Sequence, residues 1–216
     1  MIDESHSAVA VVPADVHDVR SCRVAVVSHC LLNQNTRYPG GAACPGVVVD
    51  AVQSFVDEGV GLLQMPCPEQ RTWGGVRRPP MLWVLRHRRL SGSLRPLLPV
   101  VRRYLRWRYA WMARTVARDV ADAVGAGQQV VSVLGVAGSP SCGVRTTLDL
   151  DVALARASRS QDAVTGPWLR QDVVAAAERP GTGLFVEELQ KRFATRGIEV
   201  PFIDQQLPVL DLRDDD

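Results

Sequence analysis

Three apolar runs, each closed by a turn that contains a cysteine, constrain this chain more than any other feature. Arg23 to Ser28 leads into Cys30, Gly61 to Met65 leads into Pro66-Cys67-Pro68-Glu69, and Val130 to Leu134 leads into Gly138-Ser139-Pro140-Ser141-Cys142-Gly143. Short unbroken runs rich in Val and Leu are the pattern of strands covered on both faces of a parallel sheet. In open sheets of that kind the ligand crevice lies at the carboxyl ends of the strands. Three thiols far apart in sequence are therefore expected at one edge in space.

The stretches between these runs have helical period. Pro45 suits the first turn of a helix in which Val48, Val52, Phe55 and Val56 share a face and Gly59 supplies a left-handed cap. From Pro96 to Val124 the apolar positions Leu97, Val101, Leu105, Met112, Val116, Val120 and Val124 fall near helical spacing, with Arg102, Arg103, Arg106, Arg114 and Arg118 off that stripe. Leu148 to Ala157 and Gln171 to Glu178 read as short helices. Thr182 to Arg196 reads as a helix with Leu184, Val186, Leu189 and Phe193 inward, and Ile198 to Ile203 as a last strand. Strands alternating with helices predict an α/β fold, a three-layer Rossmann-like open, mostly parallel sheet flanked by helices. The loop from His29 to Gly41 is long enough to wrap a site. Gln70 to Pro80 reads as an irregular loop, and Met81 to Leu85 as a short edge strand.

Residues 1–20, with His6 and His17, show neither period and are expected to form a flexible extension. Residues 21–208 are expected to form a single domain, and 209–216 an acidic tail. At 216 residues, 46% hydrophobic and 22% charged, the chain can bury one sizeable core. No run is long and apolar enough to span a bilayer, and the stretch Ala8 to Val12 lacks a basic lead and is too short for a secretion signal. A cytoplasmic, reducing compartment is expected. There, five cysteines at irregular spacing argue against a disulfide framework, and the lack of a CxxC pair argues against a zinc ribbon. Net charge is only +2, yet Arg77 to Arg118 holds twelve arginines and no acid. Clustered arginine can neutralise RNA phosphates, but a solvated helix face is the simpler account, and Arg in place of Lys fits a GC-rich genome.

A free cysteine is most often a small buried hydrophobe, the role expected of Cys22; Cys44 has no strand-end position. Cys30, Cys67 and Cys142 differ, because each lies in a Gly/Pro-rich turn. Three chemistries suit them. A structural zinc site would need His29 as fourth ligand, although tetrahedral sites rarely take neighbouring residues. A cysteine nucleophile would use His29 as base and Glu69 as orienting acid, leaving two thiols without a role. An iron–sulfur cluster on three cysteines would leave one iron without a protein ligand, a Lewis acid with affinity for sulfur.

Ser28-His29-Cys30-Leu31-Leu32-Asn33 with Arg37-Tyr38-Pro39-Gly40-Gly41, then Cys67-Pro68-Glu69 with Gly74-Gly75 and Arg78-Pro79, then Ser139-Pro140-Ser141-Cys142-Gly143, together resemble the thiouracil desulfidase (TudS) family. The resemblance implies a [4Fe-4S] cluster on Cys30, Cys67 and Cys142, with one open iron that takes sulfur from a small thiolated substrate. It implies Glu69 as the proton-transfer group and hydrosulfide as product. Ser139 and Ser141 are expected to hold substrate or hydrosulfide, and Ser28, Asn33, Arg37 and Arg77 (or Arg78) to contact substrate. The chain departs from the family pattern at Asn33, where many members have glycine, and at Thr36, where many have a further cysteine. Sulfur transfer onto a substrate, a hydro-lyase reaction at the same iron, and RNA binding stand as alternatives.

Overall fold

The sheet is fully parallel. In this computed structural model, which describes residues 18–38, 40–78, 95–159 and 175–207, the chain runs β1 (Arg23–Ser28), α1 (His29–Leu32), α2 (Val49–Asp57), β2 (Gly61–Met65), α3 (Pro68–Thr72), α4 (Leu98–Gly125), β3 (Gln129–Val136), β4 (Thr146–Leu148), α5 (Leu150–Arg159), β5 (Glu178–Pro180), α6 (Leu184–Ala194) and β6 (Phe202–Gln205). Strand order is β2-β1-β3-β6 with every pairing parallel, and β4 and β5 form a separate antiparallel pair. The proposed strand Met81 to Leu85, the start of the helix at Gln171, and the calls on residues 1–17 and 209–216 lie outside the described residues.

Alternation along β1 shows why the sheet has two covers. Val26 joins a cluster with Tyr109, Met112 and Val116 of α4 and Phe185, Leu189 and Phe193 of α6. Its neighbours Ala25 and Val27 join a second cluster with Leu31 of α1 and Ala51 and Val52 of α2. With period 2 along a strand, consecutive side chains go to opposite faces, so helices are needed on both. The expected three-layer α/β architecture is therefore the observed one. No helix among the described residues is long and apolar enough to cross a membrane.

Several boundaries moved, each for a local reason. The last strand begins at Phe202, because Pro201 has no N–H to donate; its carbonyl instead accepts from Val133 at 2.9 Å, and ladder pairing starts beyond it. Pro68 begins α3, since proline suits the first helical position, and the helix runs on through 70–72, the start of the loop expected to be irregular. α2 begins at Val49, after Pro45; Gly59 caps it at φ +67 as read, but Val56 is exposed. The β4–β5 pair was not foreseen, its strands being only three residues long.

The turn after β3 folds back on its own strand, so that Val136 N–H donates to the Cys142 carbonyl at 2.9 Å. A Cβ at Gly135 would overlap that carbonyl oxygen and crowd Val144. Gly135→Ala is therefore expected to lower stability by about 1–3 kcal/mol, the usual cost of overpacking, read as a lower thermal unfolding midpoint.

Candidate active site

Because β2, β1 and β3 are adjacent and parallel, the segments that follow them leave at one edge. The chain steps from β1 to β2 on one side and then to β3 on the other, which opens a crevice between the ends of β1 and β3. Cys30 lies in α1, directly after β1. Cys67 is the N-cap of α3, its Sγ accepting the Gln70 N–H at 3.4 Å. Cys142 lies in the turn after β3, where Ser139 Oγ accepts the N–H of Cys142 at 3.0 Å and that of Ser141 at 3.4 Å. That turn is anchored from the edge strand: Asp204 of β6 accepts the N–H groups of Val144 (2.6 Å), Arg145 (2.6 Å) and Thr146 (3.2 Å).

Each of these sulfurs has a polar side-chain atom close by. Arg37 Nη1 lies 3.9 Å from Cys30 Sγ, Arg78 Nη2 3.6 Å from Cys67 Sγ, and Ser141 Oγ 3.7 Å from Cys142 Sγ. The Arg78 side chain is 2% exposed; its Nη1 donates to the carbonyls of Thr36 and Val76, each at 3.1 Å. Its backbone sits at φ +44, a left-handed conformation that costs a non-glycine residue about 1–3 kcal/mol and persists where the surroundings fix it. Both guanidinium carbons lie near the Tyr38 ring, at 5.8 Å for Arg37 and 6.0 Å for Arg78. Gly41 packs so close to that ring that a Cβ would overlap it.

Glu69 stands among these groups. Its Oε1 accepts the Ser141 hydroxyl at 3.0 Å and its Oε2 lies 3.7 Å from Arg78 Nε. Ser139 Oγ is 3.2 Å from Ser141 Oγ. Since Ser139 Oγ already accepts two backbone N–H groups and Ser141 donates to Glu69, the Ser139 hydrogen points to Ser141, and a chain of hydroxyls ends on the carboxylate.

Burial pushes all three thiols above their ordinary range: Cys30 upward against the pull of Arg37, Cys67 up to about 11 with Glu69 adding to the rise, and Cys142 well above. The thiols act on one another electrostatically, Cys30 on Cys67 and both on Cys142, so they share one environment. Tyr109 of α4 is also raised by burial and by the charges of Glu69, Cys142 and Cys67, which places it beside the site.

Among the described residues, no group of three or more His, Cys, Asp and Glu is arranged to hold a single metal ion. The His29 ring hydrogen-bonds Gln64 through Nδ1, which orients the ring and leaves Nε2 as its other polar atom. A polynuclear cluster, which spreads its ligands wider than one ion does, suits three thiols, Cys142 buried and Cys30 and Cys67 half-buried, whose sulfurs lie near two guanidinium groups and a hydroxyl.

Glu69, Ser139, Ser141 and Arg37 thus converge with the three cysteines. Ser28 does not: buried, it donates to the Leu134 carbonyl at 2.9 Å and ties β1 to β3. Asn33 is exposed and accepts the Asn35 N–H at 3.1 Å as a cap. Arg77 is exposed while Arg78 turns inward. Cys22 is exposed at φ +53, not packed, and Cys44 meets the Val47 carbonyl. Sequence reasoning gave no role to Tyr38, Tyr109, Asp204 or Gln34, which braces the loop by accepting the Ala43 N–H and donating to the Cys30 carbonyl. Nothing in local spacing marks these four; Asp204 and Tyr109 meet groups from distant segments, and Gln34 and Tyr38 act within the fold of their own loop.

A family model described as 2-thiouracil desulfurase matches residues 25–200. An uncharacterised protein of Methanocaldococcus jannaschii is 38% identical over 47 residues, which is 22% of this chain and 30% of that relative. No solved structure matches.

In the metal-free protein, Cys67 should be alkylated by iodoacetamide more slowly than the exposed Cys22 at neutral pH. Its rate should keep rising with pH toward about 11, where its thiolate forms; peptide mass spectrometry across a pH series reads both.

Proposed function

The chain belongs to the 2-thiouracil desulfurase family, and from that premise we propose that it is a non-redox desulfidase that removes sulfur from a small thiocarbonyl compound, a thiolated base or thioamide, with a [4Fe-4S] cluster held by Cys30, Cys67 and Cys142. The observation that carries this reading is the delivery of three thiols, one buried and two half-buried, to one sheet edge, with Glu69 hydrogen-bonded in their midst. A cluster with three cysteine ligands supplies one iron free of protein ligands, a Lewis acid with affinity for sulfur.

The protein's own residues do the rest. Arg37 and Arg78 offset the negative charge of the thiolates of Cys30 and Cys67, which burial alone would disfavour. Glu69 accepts a proton from the water that adds to the thiocarbonyl carbon and returns one as the carbon–sulfur bond breaks. The balance is one thiocarbonyl and one water giving one carbonyl and hydrogen sulfide, with no change of oxidation state. Ser141 fixes the carboxylate by donating to Oε1, and Arg78 Nε faces Oε2 at 3.7 Å, so the acceptor atom has one orientation. Ser139 acts through Ser141: with its hydrogen on Ser141 Oγ and that of Ser141 on Oε1, the two hydroxyls together hold the carboxylate.

Prepared without oxygen, the protein is expected to be brown and to carry about four iron and four sulfide per chain. Cys30→Ala, Cys67→Ala and Cys142→Ala should each lose the cluster while Cys22→Ala and Cys44→Ala keep it, by iron and sulfide assay; equal iron in all five would overturn the ligand assignment.

Glu69→Gln should retain the cluster spectrum and lose desulfidation by about a hundredfold or more, the usual scale for a general acid/base. Near-normal turnover of a thiouracil-type substrate by the cluster-replete variant would remove Glu69 from the reaction.

A further inference from the structure

Helix α4 is apolar on two opposite faces. One face, including Leu105, Tyr109, Met112, Val116 and Val120, is buried in the core. On the other, Val100, Tyr104, Trp107 and Trp111 recur at spacings of four, three and four residues, with exposures of 66%, 47%, 65% and 59%. From Val100 to Trp111 the stripe runs for about 16 Å at 1.5 Å per residue, and Leu97, also half exposed, prolongs it. None of these side chains is needed to close the core. Contiguous exposed apolar patches mark interaction surfaces.

The surroundings of the stripe are positive. From Leu98 to Arg118 the helix has no acid of its own. Arg102 and Arg106 are engaged by Asp151 and by Glu187 and Glu188, whereas Arg103, Arg114 and Arg118 are exposed and carry no ion pair among the described residues. Arg114 bears electrostatically on Arg192 of α6, as does Arg196, so the positive edge continues onto the neighbouring helix.

We propose that this face of α4 docks on an anionic lipid surface, lying flat with Trp107 and Trp111 at headgroup level and Arg103, Arg114 and Arg118 on lipid phosphates. An exposed helix face is a convex ridge, which suits a deformable planar interface better than a rigid partner. Trp and Tyr favour that interface because each has an apolar body and a polar handle, and apolar burial with basic flanks is what holds interfacial helices. The same stripe makes a poor platform for single-stranded RNA: Leu97 and Val100 cannot stack, and the Tyr104 and Trp107 rings lean on each other at 6.3 Å and 38°. A second copy seated on this face would set arginine against arginine.

The test uses the full chain floated with vesicles of phosphatidylglycerol and phosphatidylcholine, and with vesicles of phosphatidylcholine alone. The protein should float with the anionic vesicles, less so as salt rises, and stay behind with the neutral ones. Trp107→Gln/Trp111→Gln, exposed and so expected to keep the wild-type unfolding midpoint, should bind about tenfold less. Arg103→Gln/Arg114→Gln/Arg118→Gln should lose the salt-sensitive part and serves should the first variant fail to fold. No flotation of the wild type, or undiminished flotation of both variants, would overturn the proposal. Retention of single-stranded RNA, or a doubling of mass with concentration, that vanished in the tryptophan variant without any vesicle binding would overturn it too, in favour of a nucleic-acid platform or a self-association face.

Discussion

Parallel pairing of β1 with β2 on one side and β3 on the other is the constraint from which the site follows. Backbone ladders fix the direction of the three strands, so their carboxyl ends share an edge whatever lies between them in sequence. The same arrangement demands a cover on each face of β1, which Ala25 and Val27 on one side and Val26 on the other satisfy. With β1 in the middle, the connections leave it in opposite directions, and Cys30 and Cys142 border the gap. Asp204 adds a fourth strand's contribution by holding the Cys142 turn through three backbone N–H groups.

Buried charge organises what the sheet has assembled. Burial, complete at Cys142 and partial at Cys30 and Cys67, makes ionisation of the thiols costly, and the two nearby guanidinium groups oppose that cost. Arg78 does more than balance charge. Its single side chain contacts the Thr36 carbonyl in the loop after β1, the Val76 carbonyl in the loop after α3, the Cys67 sulfur and the Glu69 carboxylate. Two loops separated by α2, β2 and α3 are thereby tied at one buried cation. Removing one partner from such a set leaves the others buried and unpaired, which costs more than the contacts themselves contribute.

The long helix connects this site with the outside of the molecule. Tyr109 is buried beside Glu69, Cys67 and Cys142, and Trp107 and Trp111, two residues before and after it, stand in solvent. A helical residue and those two positions away point in different directions, so one segment lines the chemistry on one side and presents an aromatic ridge on the other. A second apolar stripe, with arginines beside it, is therefore a property of α4 itself, and it stays exposed.

Apolar runs ending in cysteine turns, read with helical stretches between them, determined the α/β class, the parallel strands β1, β2 and β3 and their carboxyl-end thiols, because burial on both faces and local period leave a direct mark on residue order. The motif around Cys67-Pro68-Glu69 likewise put Glu69 near a thiol, since two residues of chain cannot carry it far. Which face of α4 was buried was read correctly at Leu105, Met112, Val116 and Val120, yet the opposite stripe of Val100, Tyr104, Trp107 and Trp111 went unread, because one period fits either face until something packs against it. Arg77 and Arg78 were indistinguishable as neighbours; only the left-handed backbone at Arg78 turned its side chain inward. Ser28 became a link between strands, Asp204 and Tyr38 met partners supplied by other segments, and Gln34 found its own only when the loop around it closed. Period and composition record burial along the chain, but the partner of a polar side chain is chosen by whichever distant segment the folded backbone brings within hydrogen-bond reach, and that choice belongs to the tertiary structure alone.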